Sequence, residues 1–105
     1  MTSPSPLPPP ASESSPSSAA RELVLSGRSG LHARPAARVV EIARRYASVV
    51  TLVHGETSAS AKDLLDVLYL AAPSGATITV SAQGFDAAAA VEALRLYLTS
   101  MGDDA

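Results

Sequence analysis

The chain has no cysteine. That excludes disulfides, thiol catalysis and thiolate metal sites together. It has no tryptophan, one phenylalanine and three tyrosines, so aromatics are only 4% of 105 residues. A core must therefore be aliphatic and alanine-rich, with limited buried area. A stability of several kcal/mol is the most to expect from it. Histidine occurs only twice, at His32 and His54, too few for an ordinary zinc cluster. An excess of one charge is also missing, since eight basic and ten acidic residues leave a net charge of −2. A nucleic-acid module normally carries a basic excess or stripe, so none is expected as a partner. No apolar run approaches the ~20 residues of a membrane span, so no membrane insertion is expected. No basic segment followed by an apolar stretch opens the chain, so a secretory signal is not expected. The default is one domain, cytoplasmic, of bacterial type and monomeric.

What is present falls into two parts. Residues 1–20 hold six of the eight prolines among serines and alanines. Leu7 is their only large aliphatic residue after Met1, and Glu13 their only charge. Such a stretch cannot bury enough apolar surface to offset the entropy of ordering it. It reads as a disordered tail with extended polyproline character. Pro8-Pro9-Pro10 is either a ligand for a proline-recognising domain or part of a solvated leader. The folded domain is expected over residues 21–101, with a flexible C-terminus at 102–105.

Within the domain, Glu22–Ser26 reads as a strand with Leu23 and Leu25 inward. Gly27-Arg28-Ser29-Gly30 is turn chemistry. A helix follows from about Ala33 to Ala47, with Ala36, Val39, Val40, Ala43 and Ala47 near one face. Arg38, Glu41, Arg44 and Arg45 lie mostly on the other. Val49–Val53 is a β-branched strand, His54-Gly55-Glu56 a turn and Thr57–Ser60 a short strand. Lys62–Leu70 reads as a short helix with Leu64, Leu65, Leu68 and Tyr69 as its apolar residues. Thr77–Ala82 alternates, with Ile78, Val80 and Ala82 inward and hydroxyls outward, so one sheet face is wet. Asp86 suits the N-cap of a last helix, Ala87–Ser100, whose core stripe is Ala87, Val91, Leu94 and Leu98, with Ala90 and Tyr97 alongside. Tyr46, Tyr69 and Tyr97 read as edge-of-core residues, and His54 as an exposed turn residue. The order β-α-β-β-α-β-α with one wet sheet face implies a two-layer α+β sandwich.

The chemistry concentrates in Gly30-Leu31-His32-Ala33-Arg34-Pro35-Ala36. His32 stands where a strand gives way to a helix. The unpaired N–H groups of a first helical turn favour negative charge, and phosphate is an ordinary ligand there. An imidazole with an ordinary pKa of about 6.5 offers a neutral nucleophilic nitrogen near pH 7. Arg34 supplies planar donors that suit phosphate oxygens and keeps its charge throughout. Pro35 falls in the first turn, where a missing N–H costs little. On spacing alone, His32 either holds a phosphoryl group or merely caps the helix.

Three motifs together resemble a known family. They are Gly30–Ala37, then Ser58-Ala59-Ser60-Ala61-Lys62-Asp63-Leu64-Leu65, then Gly75–Gly84. In content and spacing the chain from Glu22 to Ser100 is similar to HPr, the histidine-containing phosphocarrier of the bacterial phosphoenolpyruvate-dependent phosphotransferase system. The resemblance implies an HPr-like open-faced sandwich, a four-stranded antiparallel sheet with three helices on one face. It implies that His32 accepts a phosphoryl group on Nδ1 and that Arg34 stabilises it, helped by the backbone N–H groups of Ala33 and Arg34. The donor would be phosphorylated enzyme I. The acceptor would be a histidine on an A-type domain of an enzyme II, in carbohydrate uptake. No metal or organic cofactor is implied, and the chain would act as a stoichiometric carrier rather than a conventional enzyme. A nitrogen-type regulatory relay and a pure protein-interaction module are the competing functions.

The partner surface implied by the resemblance is Ala33, Ala37, Leu64 and Leu65, with basic contacts from Arg38 and Arg44. Three positions depart from the family pattern. Asp63 stands where many members carry a regulatory serine, so no serine phosphorylation is expected there. Its carboxylate either caps the short helix or imitates part of a phosphoserine's charge. Glu41 and Asp66 stand where lysines are frequent, and could re-tune partner choice through charge.

Overall fold

The computed structural model describes residues 17–101. The expected tail with Pro8-Pro9-Pro10 and the expected flexible C-terminus lie at or beyond those bounds, so residues 1–16 and 102–105 are outside the described residues. Seven elements follow in the order expected: β1 (Ser18–Val24), α1 (Ala33–Ala43), β2 (Val49–His54), β3 (Thr57–Ser60), α2 (Leu64–Leu70), β4 (Thr77–Gln83) and α3 (Ala87–Thr99). The strands form one antiparallel sheet in the order β1-β4-β2-β3. In register, Leu23 faces Ile78, and Leu52 lies between Val80 and Ala59. Period-two alternation explains which face is covered. Ile78, Val80 and Ala82 are buried, as are Val50 and Leu52, while Thr77 and Gln83 are exposed on the open face.

Helical periodicity fills the other layer. α1 buries Pro35, Ala36, Val39, Val40, Ile42 and Ala43. α3 buries Ala87, Ala90, Val91, Leu94 and Leu98, the stripe read from its sequence. Met101 and Leu31 close the ends of this one aliphatic core, with Tyr46 and Tyr97 packed at its edge.

Several boundaries differ from the sequence reading. β1 begins at Ser18, so Ser18, Ala19 and Ala20 are strand rather than tail, paired with Gln83, Ala82 and Ser81. It ends at Val24, not Ser26: the Leu25 N–H still reaches the in-register Ala76 carbonyl at 2.9 Å, but the Ala76 N–H turns to the Pro73 carbonyl at 3.0 Å instead of returning the bond. Leu25 is nonetheless buried as expected. α1 stops at Ala43 rather than Ala47. The next N–H groups, of Arg45 and Tyr46, tighten onto the carbonyls of Ile42 and Ala43. Those of Ala47 and Ser48 turn away to the Asp86 carboxylate at 2.8 and 3.0 Å. Ala47 is therefore exposed instead of in the core stripe.

Asp86 occupies the N-cap position of α3 as expected, but its side chain makes no cap hydrogen bond there. It also accepts a hydrogen bond from the Ser48 hydroxyl. α2 starts at Leu64, not Lys62, and packs through Val67 and Leu70. Tyr69, read as edge-of-core, is 80% exposed. His54 closes β2 instead of lying in the turn, is half-buried, and its Nδ1 lies 3.3 Å from the Leu70 carbonyl.

Candidate functional site

The site is built where β1 hands over to α1. The handover depends on Gly30, whose φ is +71°. A Cβ there would collide with the Ala72 carbonyl oxygen and stand 2.7 Å from Pro73 Cα. Glycine alone combines that φ with so close an approach. The contact fixes the loop, since the Leu31 N–H donates to the Ala72 carbonyl at 2.9 Å and Leu31 is buried. His32 follows immediately, tethered on both sides. Its N–H reaches the Gly30 carbonyl at 3.1 Å, and its carbonyl accepts from the Ala36 N–H at 2.9 Å.

His32 is the N-cap of α1 with extended backbone, and its imidazole makes no cap hydrogen bond. The residue is half-buried. The capping function that a serine or aspartate side chain would serve is thus left undone. Inside the helix, the N–H groups of Ala33 and Arg34 have no acceptor four residues back. Pro35 has no N–H to offer. Two donors and the positive end of an 11-residue helix therefore follow directly on His32 in the chain.

Arg34 is exposed. It lines a shallow cleft with Arg38, Tyr97 and Ser100, between α1 and the C-terminal end of α3. Tyr97 and Ser100 were not read as site residues. They lie about sixty positions away in sequence, and no local pattern announces that meeting. His32, two residues before Arg34, is not among the residues lining this cleft.

The residues expected to meet partners are distributed over α1 and α2, which pack against each other. Ala33 and Ala37 are exposed on α1. Leu64 and Leu65 are 41% and 67% exposed, and Tyr69, one turn after Leu65, extends their apolar surface. Arg38 pairs with Glu41 at 3.0 Å on an open surface, where such a pair contributes little. The Arg44 Nε donates to the Lys62 carbonyl at 3.1 Å, and the Lys62 ammonium to the Tyr46 carbonyl at 2.7 Å. Both long side chains tie the end of α1 to the start of α2. Asp63 caps α2, accepting from the Asp66 N–H at 3.2 Å. Asp66 reaches back to the Ser60 N–H at 3.1 Å. Asp63 thus caps α2, while Asp66 ties the start of that helix back to the end of β3. Among the described residues there is no group of three potential metal ligands and no helix long and apolar enough to cross a membrane.

A half-open sandwich with one histidine at a helix start defines the class, a small histidine-bearing carrier domain. Residues 19–100 match the family described as PTS HPr component phosphorylation site. The chain belongs to the HPr family, the phosphocarriers of the phosphoenolpyruvate-dependent phosphotransferase system. It is 36% identical over 81 residues to phosphocarrier protein HPr of Buchnera aphidicola subsp. Baizongia pistaciae, covering 77% of this chain and 95% of that one. It is 35% identical over 85 residues to phosphocarrier protein NPr of Shewanella violacea, covering 81% and 93%. A crystal structure of HPr from Bacillus anthracis superimposes with a TM-score of 0.75 at 32% identity, covering 78% and 98%. A multiphosphoryl transfer protein of Xanthomonas campestris is 41% identical over 80 residues, 76% of this chain, which corresponds to only 10% of that longer protein.

Proposed function

We propose that this protein takes a phosphoryl group onto His32 Nδ1 from phosphorylated enzyme I and hands it to a histidine on an A-type domain of an enzyme II, in carbohydrate uptake. The observation that carries the reading is the uncapped helix start. His32, whose imidazole makes no cap bond, is the N-cap residue directly before two N–H donors with no intrahelical partner.

The step is a displacement at phosphorus. The Nδ1 lone pair attacks, a nitrogen–phosphorus bond forms, and the bond to the donor's atom breaks, its electron pair leaving with the donor. Nε2 keeps its proton. The N–H groups of Ala33 and Arg34 and the positive end of α1 offset the charge on the transferred oxygens, as positioning and electrostatics do in phosphoryl transfer generally. Arg34 leaves its cleft beside α3 to add its guanidinium. The phosphohistidine stays half-exposed, so it is stabilised only modestly and remains transferable. Onward transfer repeats the displacement with the acceptor nitrogen as nucleophile. The carrier is regenerated and needs no cofactor.

Incubation with phosphoenolpyruvate and enzyme I is expected to give one acid-labile phosphate per chain. His32→Ala should give none, and Arg34→Ala should load more slowly with an unchanged fold. No label on the wild type, or an undiminished label on His32→Ala, overturns the reading.

A nitrogen-type regulatory relay is the second reading. It is favoured by Asp63 at the serine position and by the likeness to an NPr protein. Presenting the loaded carrier with sugar-specific and nitrogen-type A-domains separates the two, since the true acceptor should discharge it faster.

A further inference from the structure

Phe85 is the only phenylalanine in the chain, and it is 79% exposed. It stands in the turn between β4 and α3, held by two contacts. Asp86, the next residue, binds the N–H groups of Ala47 and Ser48. Gly84, the residue before, lies so close to Ser48 that a Cβ would come within 2.7 Å of Ser48 Cα. The turn is therefore clamped against residues 47–49. There Ala47 is exposed and Val49 is 67% exposed. Val49 pairs with Gln83, and Gln83 with Ser18. One corner of the sheet thus gathers an exposed phenylalanine, an exposed valine and the start of β1. Phe85, Val49 and Ala47 together give this corner a small exposed apolar patch.

The described chain begins at this same corner. The Ser17 carbonyl accepts the Gly84 N–H at 2.8 Å, which puts the first described residue next to the turn that carries Phe85. Residues 1–16 include Leu7-Pro8-Pro9-Pro10, apolar and uncharged, with Glu13 the only charge before Ser17. Proline-rich segments with polyproline II geometry dock on exposed aromatic surfaces, because little ordering entropy remains to be lost. The reach suffices: at about 3.1 Å per residue the chain from Ser17 back to Pro10 spans about 22 Å. Tethering also raises the local concentration to the order of millimolar, so a contact too weak to act between separate molecules is populated within one chain.

We propose that the chain's own Leu7-Pro8-Pro9-Pro10 segment docks on the Phe85–Val49 corner. The corner adjoins the C-terminal end of α1. An 11-residue helix, about 16 Å at about 1.5 Å per residue, separates it from His32. The docked segment therefore leaves the phosphoryl site open.

The absence of cysteine makes the test direct. Ser5→Cys carries a nitroxide label on the otherwise full chain, and amide signals are followed by NMR. The expected result is selective loss of intensity at Val49, Phe85 and Asp86, with Arg38 and Leu65 unaffected. Adding Phe85→Ala should restore those signals, while loading of His32 by enzyme I stays as in wild type. Diluting the labelled chain with unlabelled protein should leave the loss unchanged. Uniform or absent broadening overturns the proposal. So does broadening that persists in Phe85→Ala. Broadening of an isotope-enriched, spin-free chain by a separate spin-labelled one puts a second copy on the corner and overturns it too.

Discussion

At the scale of single residues, the site rests on a glycine as much as on its histidine. Gly30 has a left-handed φ and touches the Ala72–Pro73 backbone, so alanine there meets both torsional strain and collision. Gly30→Ala is expected to lower stability by about 1–3 kcal/mol, and the urea midpoint measures it. Because Leu31 is anchored to Ala72 through the same contact, loading of His32 should slow as well. An unchanged midpoint would show that the loop shifts freely, and the account of a fixed His32 would fail with it. The placement of His32 and Arg34 at the start of α1 was legible in the sequence, since a histidine two residues before an arginine at a strand–helix junction is a local pattern. The cleft in which Arg34 lies was not, because Tyr97 and Ser100 reach it only through the packing of α3 on α1.

At the scale of elements, periodicity told the truth where an element was long and one-sided. β4 alternates and α3 carries a stripe, and both bury the residues that the pattern names. It failed where tertiary pairing decides. Ser18-Ala19-Ala20 has no strand signature, yet β4 supplies a ladder for it. In α2, leucines at 64 and 65 look like core but face outward, because a seven-residue helix buries only Val67 and Leu70 beneath it. Such a helix is far below the ~12–15 residues that are even marginal alone, so its ends matter. Asp63 and Asp66 hold that end, one capping α2 and one drawing in the Ser60 N–H. Asp63→Ala should cost about 1 kcal/mol, while Asp63→Ser, which keeps a side-chain acceptor, should cost much less. Faster hydrogen exchange at the Val67 and Leu70 amides in Asp63→Ala alone is the local signature. Equal losses in both variants would mean that the carboxylate's charge, not its cap, is what matters there.

At the scale of the whole molecule, one polar tie joins parts of the chain that are distant in sequence. Ser48 is a buried polar residue in an otherwise aliphatic interior. Asp86, 38 positions later, receives the Ser48 hydroxyl and the N–H groups of Ala47 and Ser48. This joins the α1–β2 connection to the β4–α3 connection and so closes the sandwich at the end opposite His32. The hydrogen bond from the Ser48 hydroxyl, followed by that from the Ala47 N–H, holds the Asp86 carboxyl below its ordinary value of 3.8. The native state therefore binds a proton there less readily than the unfolded chain does. The resulting stability is fully present above that ordinary value and is lost as pH falls through the lower native value. Asp86→Asn keeps the shape but replaces one accepting oxygen by a donor that faces two N–H groups and a hydroxyl. Its urea midpoint should fall below wild type near pH 7, and the gap should narrow as pH drops below about 4 and the wild-type carboxyl is protonated. A gap that stays constant from neutral to acid pH would mean that the ionised carboxylate adds nothing to the tie, leaving Ser48 and Gly84 to close that end by packing alone.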